Sequence, residues 1–368
     1  MMPEKLKDVL FSLDSLHGLA DAIAAVHPQF DREGFLSLVQ SGGWEQRELK
    51  DRMRHVTQCL HRALARDFTA ALDILKRVAP SLSGFYPLVC SDYVQCYGQD
   101  HWELSLPALA FFTPFGTSEY AVRPFIAQDP SRAMAVLMAW AEDRNHHVRR
   151  LASEGCRPSL PWGMDLPMFQ EDPAPILPIL EKLKDDQSEY VRKSVANNLN
   201  AISKDHPDLV LDIAERWYGH NPRTDWIVRH GLRTLLKAGN LRALQLLGVA
   251  EQEKVHVEAL TLDRATLHIG QELHYGFTLR VDGQTPCQVR LELAVDYVRG
   301  RGELSRKVFA IRSGRFAPGR CAIARKLSFA DRSTRRHYPG RHHLTVIANG
   351  VEQATASVEL AAARPEQA

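Results

Sequence analysis

The chain has only six cysteines in 368 residues, and no two of them form a Cys-x-x-Cys pair. Neither a disulfide framework nor a zinc site is indicated, which suits an intracellular protein. The histidines are no better arranged for a metal. His146–His147 and His342–His343 are adjacent pairs without His-Glu-x-x-His spacing or a third ligand. The phosphate-loop, dinucleotide and nucleophile-elbow patterns are all missing, so ATP, NAD and acyl-transfer chemistry have no support. No run approaches the ~18 apolar residues of a membrane helix. The opening MMPEKLKDVLFSLDSL lacks the apolar core of a signal peptide. These absences predict a cytoplasmic protein that works without metal, cofactor or membrane.

Charge of one sign is scarce as well, with a net of only +2. Its distribution says more. Arg299–Arg341 holds 13 basic and 2 acidic residues, a net of +11. Such a block fits either a polyanion or a solvated β surface.

What is present divides the chain in two. Residues 1–250 read as helices, with apolar residues at i, i+3, i+4 spacing in LHGLADAIAAVHPQF and DFTAALDILKRVAP. Runs stop near Pro28, Pro80 and Pro130. Residues 251–368 alternate at period two in VHVEALTL, ELHYGFTLRV, CQVRLELAVDYV, HHLTVIANG and ATASVEL. Turn signals separate them. The fold class expected is mainly α, a HEAT-like helical-repeat solenoid, followed by a C-terminal Ig-like β-sandwich. The Cys…Trp…Cys pattern of antibody domains is missing.

The repeat carries the solenoid expectation. VRRLASEG from Val148, VRKSVANN from Val191 and VRHGLRTL from Val228 recur at spacings of 43 and 37 residues. Asp143, Asp186 and Asp225 each precede a copy, as in repeats whose loop Asp pairs with the Arg of the next repeat. That reading makes Arg149, Arg192 and Arg229 a structural ladder. Helical spacing turns Val148, Leu151, Ala152 and Gly155 to the core. Arg150, Glu154 and Arg157 then share another face. Its equivalents are Lys193, Asn197 and Asn200, then His230, Thr234 and Lys237. If these faces line a concave wall, it suits a nucleic acid backbone. By spacing alone, Glu154 is either an ion-pair partner for Arg150 and Arg157 or a functional carboxylate.

RNHHVRRLASEGCRPSLPW, YVRKSVANNLNAISKDHPDLV, TSEYAVRPF, WIVRHGLRTLLKAG and LKDVLFSL together resemble the AlkC branch of the AlkC/AlkD alkylpurine DNA glycosylases. VDYVRGRGELSRKVFAI and YPGRHHLTVIANG resemble the Ig-like domain of some AlkC proteins. The resemblance implies a monomeric bacterial-type DNA repair glycosylase for 3-methyladenine and 3-methylcytosine in duplex DNA, with no obligate protein partner. It implies Glu154 as electrostatic stabiliser and water-positioning base, Glu119 as a second carboxylate and Trp162 as a wall for base or sugar. Without it, Glu119 reads equally as a first-turn helix residue capped by Ser118, and Trp162 as loop packing. Arg150, Arg157, Lys193, Asn197, His230 and Lys237 become DNA contacts on the repeats. Arg299, Arg301, Arg312, Arg315, Arg332, Arg335 and Arg336 become phosphate contacts on a clamping β-domain. One departure stands out. VANNLN is usually followed by Asp in the family, and here Ala201 follows. Asp205, one helical turn on, could partly substitute, although KDHP reads equally well as a helix-ending turn. The alternative is a non-catalytic HEAT/Ig binding protein, for DNA or a protein partner, whose site has decayed at Ala201.

Overall fold

The computed structural model describes residues 6–41, 43–64, 67–248, 254–300, 302–331 and 335–362. It forms two compact units, residues 1–210 with 217–231 and residues 211–216 with 232–368. Helix gives way to strand at Val255, close to the change in sequence texture. The compact units divide earlier than the expected boundary at 250/251. One physical reason is Arg242, which donates to Asp212 and Glu215 at 2.6 Å each and ties residues 211–216 into the second unit.

The first unit contains helices and turns only, among its described residues. Side-chain caps start several of the helices. Ser12 accepts from the Ser15 amide at 3.2 Å and opens Leu13–Val26, whose Leu16, Leu19, Ala20 and Ile23 are buried. Against the expectation that no stretch would be long and apolar enough for a membrane helix, Lys7–Val26 is so by length and composition. It is broken between Leu10 and Leu13 and packs its apolar face on helices Arg32–Ser41 and Phe68–Val78, as a core helix does. Pro28 and Pro80 follow helix ends as expected. Pro130 likewise follows the end of helix Arg123–Gln128, and it also opens helix Pro130–Trp140 at its first position, where the missing N–H costs nothing, with Asp129 as cap.

The three repeat copies lie on helices His146–Gly155, Glu189–Ile202 and Pro222–Gly231, and the second packs against both others. Val148, Leu151, Ala152 and Gly155 are buried, as their spacing requires. Gly155 is obligatory for a steric reason. A Cβ there would stand 2.7 Å from Val122 Cγ1. The Asp–Arg ladder runs in the opposite sense to the one expected. Arg149 donates to Asp186 of the following copy, through Nε at 2.6 Å and Nη2 at 3.0 Å. Arg192 turns to the carbonyls of Asp186 and Gln187, and Arg229 to the Tyr218 hydroxyl.

The Arg149–Asp186 rung yields a pH prediction. Burial pushes the Asp186 carboxyl up, but Arg149 and the Ser188 amide outweigh it and hold its pKa below the usual value. A depressed folded pKa means stability that is full above the ordinary carboxylate pKa of about 3.9 and lost as pH falls through the lower folded value. Arg149→Met is therefore expected to cost about 1–3 kcal/mol near neutral pH. In urea unfolding, the gap to wild type should close in acid. A gap that stays constant down to full carboxyl protonation would contradict this account.

Among its described residues the second unit carries eight strands: β1 Val255–Leu262, β2 Thr266–His268, β3 Glu272–Val281, β4 Cys287–Val298, β5 Leu304–Phe316, β6 Gly319–Ser328, β7 Gly340–Ala348 and β8 Val351–Ala361. They form a three-stranded sheet, β1-β3-β6, and a five-stranded sheet, β2-β8-β7-β4-β5. Alternate residues such as Leu273, Phe277, Leu291, Leu293, Leu344 and Val346 fill the core. Asn349-Gly350 closes the β7–β8 hairpin with φ of 50° and 79°, the paired positive values that a type I′ turn demands. The edge strands β5 and β6 are largely exposed and carry Arg306, Lys307, Arg312, Arg315, Arg320, Arg325 and Lys326. Such charge protects an unpaired edge from adding another chain.

Candidate active site

The site begins with a turn. Ser118 is fully buried, and its hydroxyl donates to the Leu109 carbonyl at 2.8 Å and lies 2.9 Å from Ser91 Oγ. It is therefore an anchor and not the helix cap considered from sequence. The following helix, Arg123–Gln128, has Val122 at its cap position with no side-chain bond. The anchored turn presents Thr117, Glu119 and Tyr120.

Helix His146–Gly155 brings the second carboxylate. Glu119 and Glu154 are 7% and 4% exposed, and both reach Arg150. Arg150 Nη1 contacts Glu119 Oε2 directly, while its Nη2 lies 3.7 Å from Glu154 Oε1. Arg157 pairs with the same Glu154 oxygen. The other oxygen, Oε2, accepts from Ser194 Oγ at 2.6 Å. Thr117 Oγ1 donates to Glu119 Oε2 at 3.0 Å and accepts from Arg150 at 2.8 Å. Tyr190 covers the Arg150 guanidinium, 5.0 Å from ring centroid to Cζ. Two carboxylates and two guanidiniums thus share one buried cluster.

The electrostatics follow from that packing. Burial works against the Arg150 charge, but Glu154 and Glu119 outweigh it and raise its pKa. Burial, then Glu119, push the Tyr120 phenol upward. Burial also raises Tyr190. Both phenols stay protonated at neutral pH and able to donate. A rigid pair of charges, fixed by hydroxyls and guanidiniums, can stabilise developing positive charge without reorganising.

Trp162 stands apart from that cluster and is 59% exposed with a φ of 66°. It is not loop packing. Arg123 holds its loop from below. This arginine is fully buried and donates to Met164 O at 2.6 Å, Gly155 O at 2.9 Å and Pro158 O at 3.3 Å. Lys50 Nζ donates to the Trp162 carbonyl. Trp162, Thr117 and Tyr120 border a cavity of about 240 Å³.

The other expected positions are dispersed. Arg157 is buried and Arg150 half-buried, and both stand in ion pairs. Lys193 is exposed and Asn197 half-buried on the second repeat helix. His230 stacks on Trp226 at 5.2 Å, and Lys237 is exposed in the other compact unit. Ala201 is 3% exposed. By helical spacing it continues the stripe of Ser194 and Asn198, which bond Glu154 and the Ser153 carbonyl of the first repeat helix. Asp205 does not substitute for it. The helix ends at Ile202, and Asp205 lies exposed in the turn beyond.

On the β-domain, Arg299, Arg335 and Arg336 line one groove of about 500 Å³ with Lys307, Tyr297 and Tyr338. Arg335 lies over Tyr297 and Phe309 at 4.9 and 5.2 Å. Arg312 and Arg315 are exposed further along β5. Arg301 and Arg332 lie outside the described residues.

Sequence reasoning missed Ser194, Arg123, Tyr190 and Lys50. Ser194 was one position from a faint signal, since Lys193 had been placed on the wall. For Arg123 no local pattern exists, because its acceptors lie 32 to 41 residues onward.

Residues 113–235 match the family described as DNA alkylation repair enzyme. Residues 256–362 match the family of the YhaZ C-terminal Ig-like domain. The uncharacterized protein YhaZ of Bacillus subtilis (strain 168) is 44% identical over 346 residues, covering 94% of this chain and 96% of that protein. The alkylpurine DNA glycosylase AlkC of Pseudomonas fluorescens, solved bound to DNA containing an abasic site analog, is 41% identical. It superposes with a TM-score of 0.93 over 97% of this chain and all of its own. With likeness running through both units, this chain belongs to the AlkC-like DNA alkylation repair enzymes that carry a C-terminal Ig-like domain.

Proposed function

We propose that this protein is a DNA N-glycosylase that hydrolyses the N-glycosidic bond of 3-methyladenine and 3-methylcytosine in duplex DNA. The observation that carries the reading is the pair of buried carboxylates, Glu119 and Glu154, held on one guanidinium in a chain 41% identical to AlkC. We assign the helical repeats to base excision and the β-domain to clamping DNA. We place the enzyme in the cytoplasm beside the nucleoid, acting as a monomer without an obligate protein partner.

The chemistry suits these residues. An N3-methylated base is cationic while attached to the sugar. When the C1′–N bond breaks, its electron pair stays on the base, which leaves neutral. No strong general acid is needed, unlike the paired acid and base of glycoside hydrolases. The sugar becomes an oxocarbenium ion, which negative charge stabilises. Water then adds to C1′ and gives its proton to a carboxylate or to solvent. The reaction is redox-neutral, and we assign it to the chain's own residues without metal or cofactor. Glu154 stabilises the cation and orients water. Ser194 and Arg157 fix its two oxygens, and Glu119 adds the second charge. The aromatic face of Trp162 adds ~1–2 kcal/mol of cation–π attraction to the base or sugar.

Duplex oligonucleotides with a single 3-methylcytosine, or methylated random duplex, test the activity through alkali-labile abasic sites. Strand breaks that need both lesion and protein are expected. Breaks on undamaged duplex alone would overturn the lesion assignment.

The β-domain groove gives a separate expectation. Arg299→Ala with Arg336→Ala should weaken duplex binding uniformly across sequences. It should also reduce the salt slope by about 2, roughly one per lost phosphate contact. An unchanged slope in a titration from low to moderate salt would remove these residues from the DNA interface.

A further inference from the structure

The cavity behind Trp162 differs in chemistry from the carboxylate cluster beside it. Aromatic rings of Phe11, Phe85, Tyr120 and Trp162 line it together with Met53, and Lys50 is the one charged residue of its lining. The Lys50 ammonium lies 5.6 Å from the Tyr120 ring centroid and is tied to the Trp162 carbonyl. Thr117 and Tyr120 belong to the same turn as Glu119, so one wall serves both sites. Trp162 holds a left-handed backbone while largely exposed. Such strain persists only where the surroundings enforce it and clusters at functional sites. Here Arg123 and Lys50 enforce it.

We propose that this cavity is a product site that takes the released base, a neutral planar heteroaromatic ring. The inference rests on the glycosylase reading. Bond cleavage changes the charge of the base from +1 to zero. The cationic base attached to DNA is drawn to Glu119 and Glu154 and repelled by Lys50. Once neutral, the ring loses that attraction, and the aromatic cavity across the shared wall becomes the better environment. Its volume of about 240 Å³ is below the ~300–1,000 Å³ of sites for drug-sized ligands, a size suited to a single base.

The test uses the full chain and free 3-methyladenine in mildly alkaline buffer, where that base is neutral. Binding is read by tryptophan fluorescence and calorimetry. The comparison ligand is 3,9-dimethyladeninium, the same ring with a fixed positive charge. Saturable binding of 3-methyladenine is expected, with the cation at least about tenfold weaker. Lys50→Glu should reverse that order. Leu49→Trp or Leu88→Trp, each filling the cavity from a half-buried lining position, should abolish base binding. Single-turnover DNA cleavage should be unchanged in whichever of the two filling variants keeps the wild-type circular dichroism. Equal affinity for the two rings, or base binding indifferent to both filling variants, overturns the assignment. Base release from methylated DNA is measured on the same preparations. Release without binding of free base sinks the product site and leaves the glycosylase reading intact. Binding without any release sinks the glycosylase reading and the product assignment with it.

Discussion

Glu154→Gln is expected to slow base release by about a hundredfold to a thousandfold, the usual cost of removing a preorganised electrostatic stabiliser. Affinity for duplex containing an abasic site should stay within a few-fold of wild type. The substitution keeps size and shape, so the packing of the first repeat helix survives. The amide oxygen can still face Arg157 while the amide nitrogen donates to Ser194, whose hydroxyl also accepts. What disappears is one negative charge at the point where the sugar becomes positive. Arg157 then loses a buried counter-ion, so melting temperature must be followed beside the rate. A slowed variant with near-wild-type stability places Glu154 in the chemical step. A rate within about threefold of wild type, or under ~1 kcal/mol of barrier, would move the principal role to Glu119.

Arg123→Met is expected to lower stability by about 3 kcal/mol or more, because it strips three carbonyls of a charged donor inside the fold. Burial holds this guanidinium down at about 10, still charged at neutral pH, and its three hydrogen bonds go to backbone carbonyls. A buried charge without a close carboxylate is expensive, so its retention argues for what it positions. That is the loop from Gly155 to Met164, with Trp162 at its exposed turn. The variant should blue-shift or quench tryptophan emission less on DNA binding and raise KM for damaged duplex more than it lowers kcat. Arg123→Lys can restore only part of the three-way bond and should recover part of the stability. A variant as stable and active as wild type would show that the loop holds itself.

The parts of this molecule that depend on short-range periodicity were legible in the sequence. Val148, Leu151 and Ala152 announce a buried stripe, and the period-two runs announce the strands. The two carboxylates were legible through resemblance, because a motif travels with its neighbours. Distances between segments were not. Arg150 and Arg157 read as open-wall cations, yet Glu119 from a turn some thirty residues upstream and Glu154 on the same helix enclose them in ion pairs. Ser194 was not singled out, because its partner Glu154 lies forty residues upstream on another helix. Asp205 was legible both as a carboxylate one helical turn from Ala201 and as part of a helix-ending turn, and the end of the helix at Ile202 decides for the turn.

The most direct test of the central claim is chromatographic measurement of bases released over time from methylated duplex DNA by purified wild-type protein. The account predicts release of 3-methyladenine and 3-methylcytosine in proportion to enzyme, with Ala201 limiting the rate but not abolishing it. No release, accompanied by tight and salt-sensitive binding to the same DNA, would contradict it and identify a binding protein whose site decayed at Ala201.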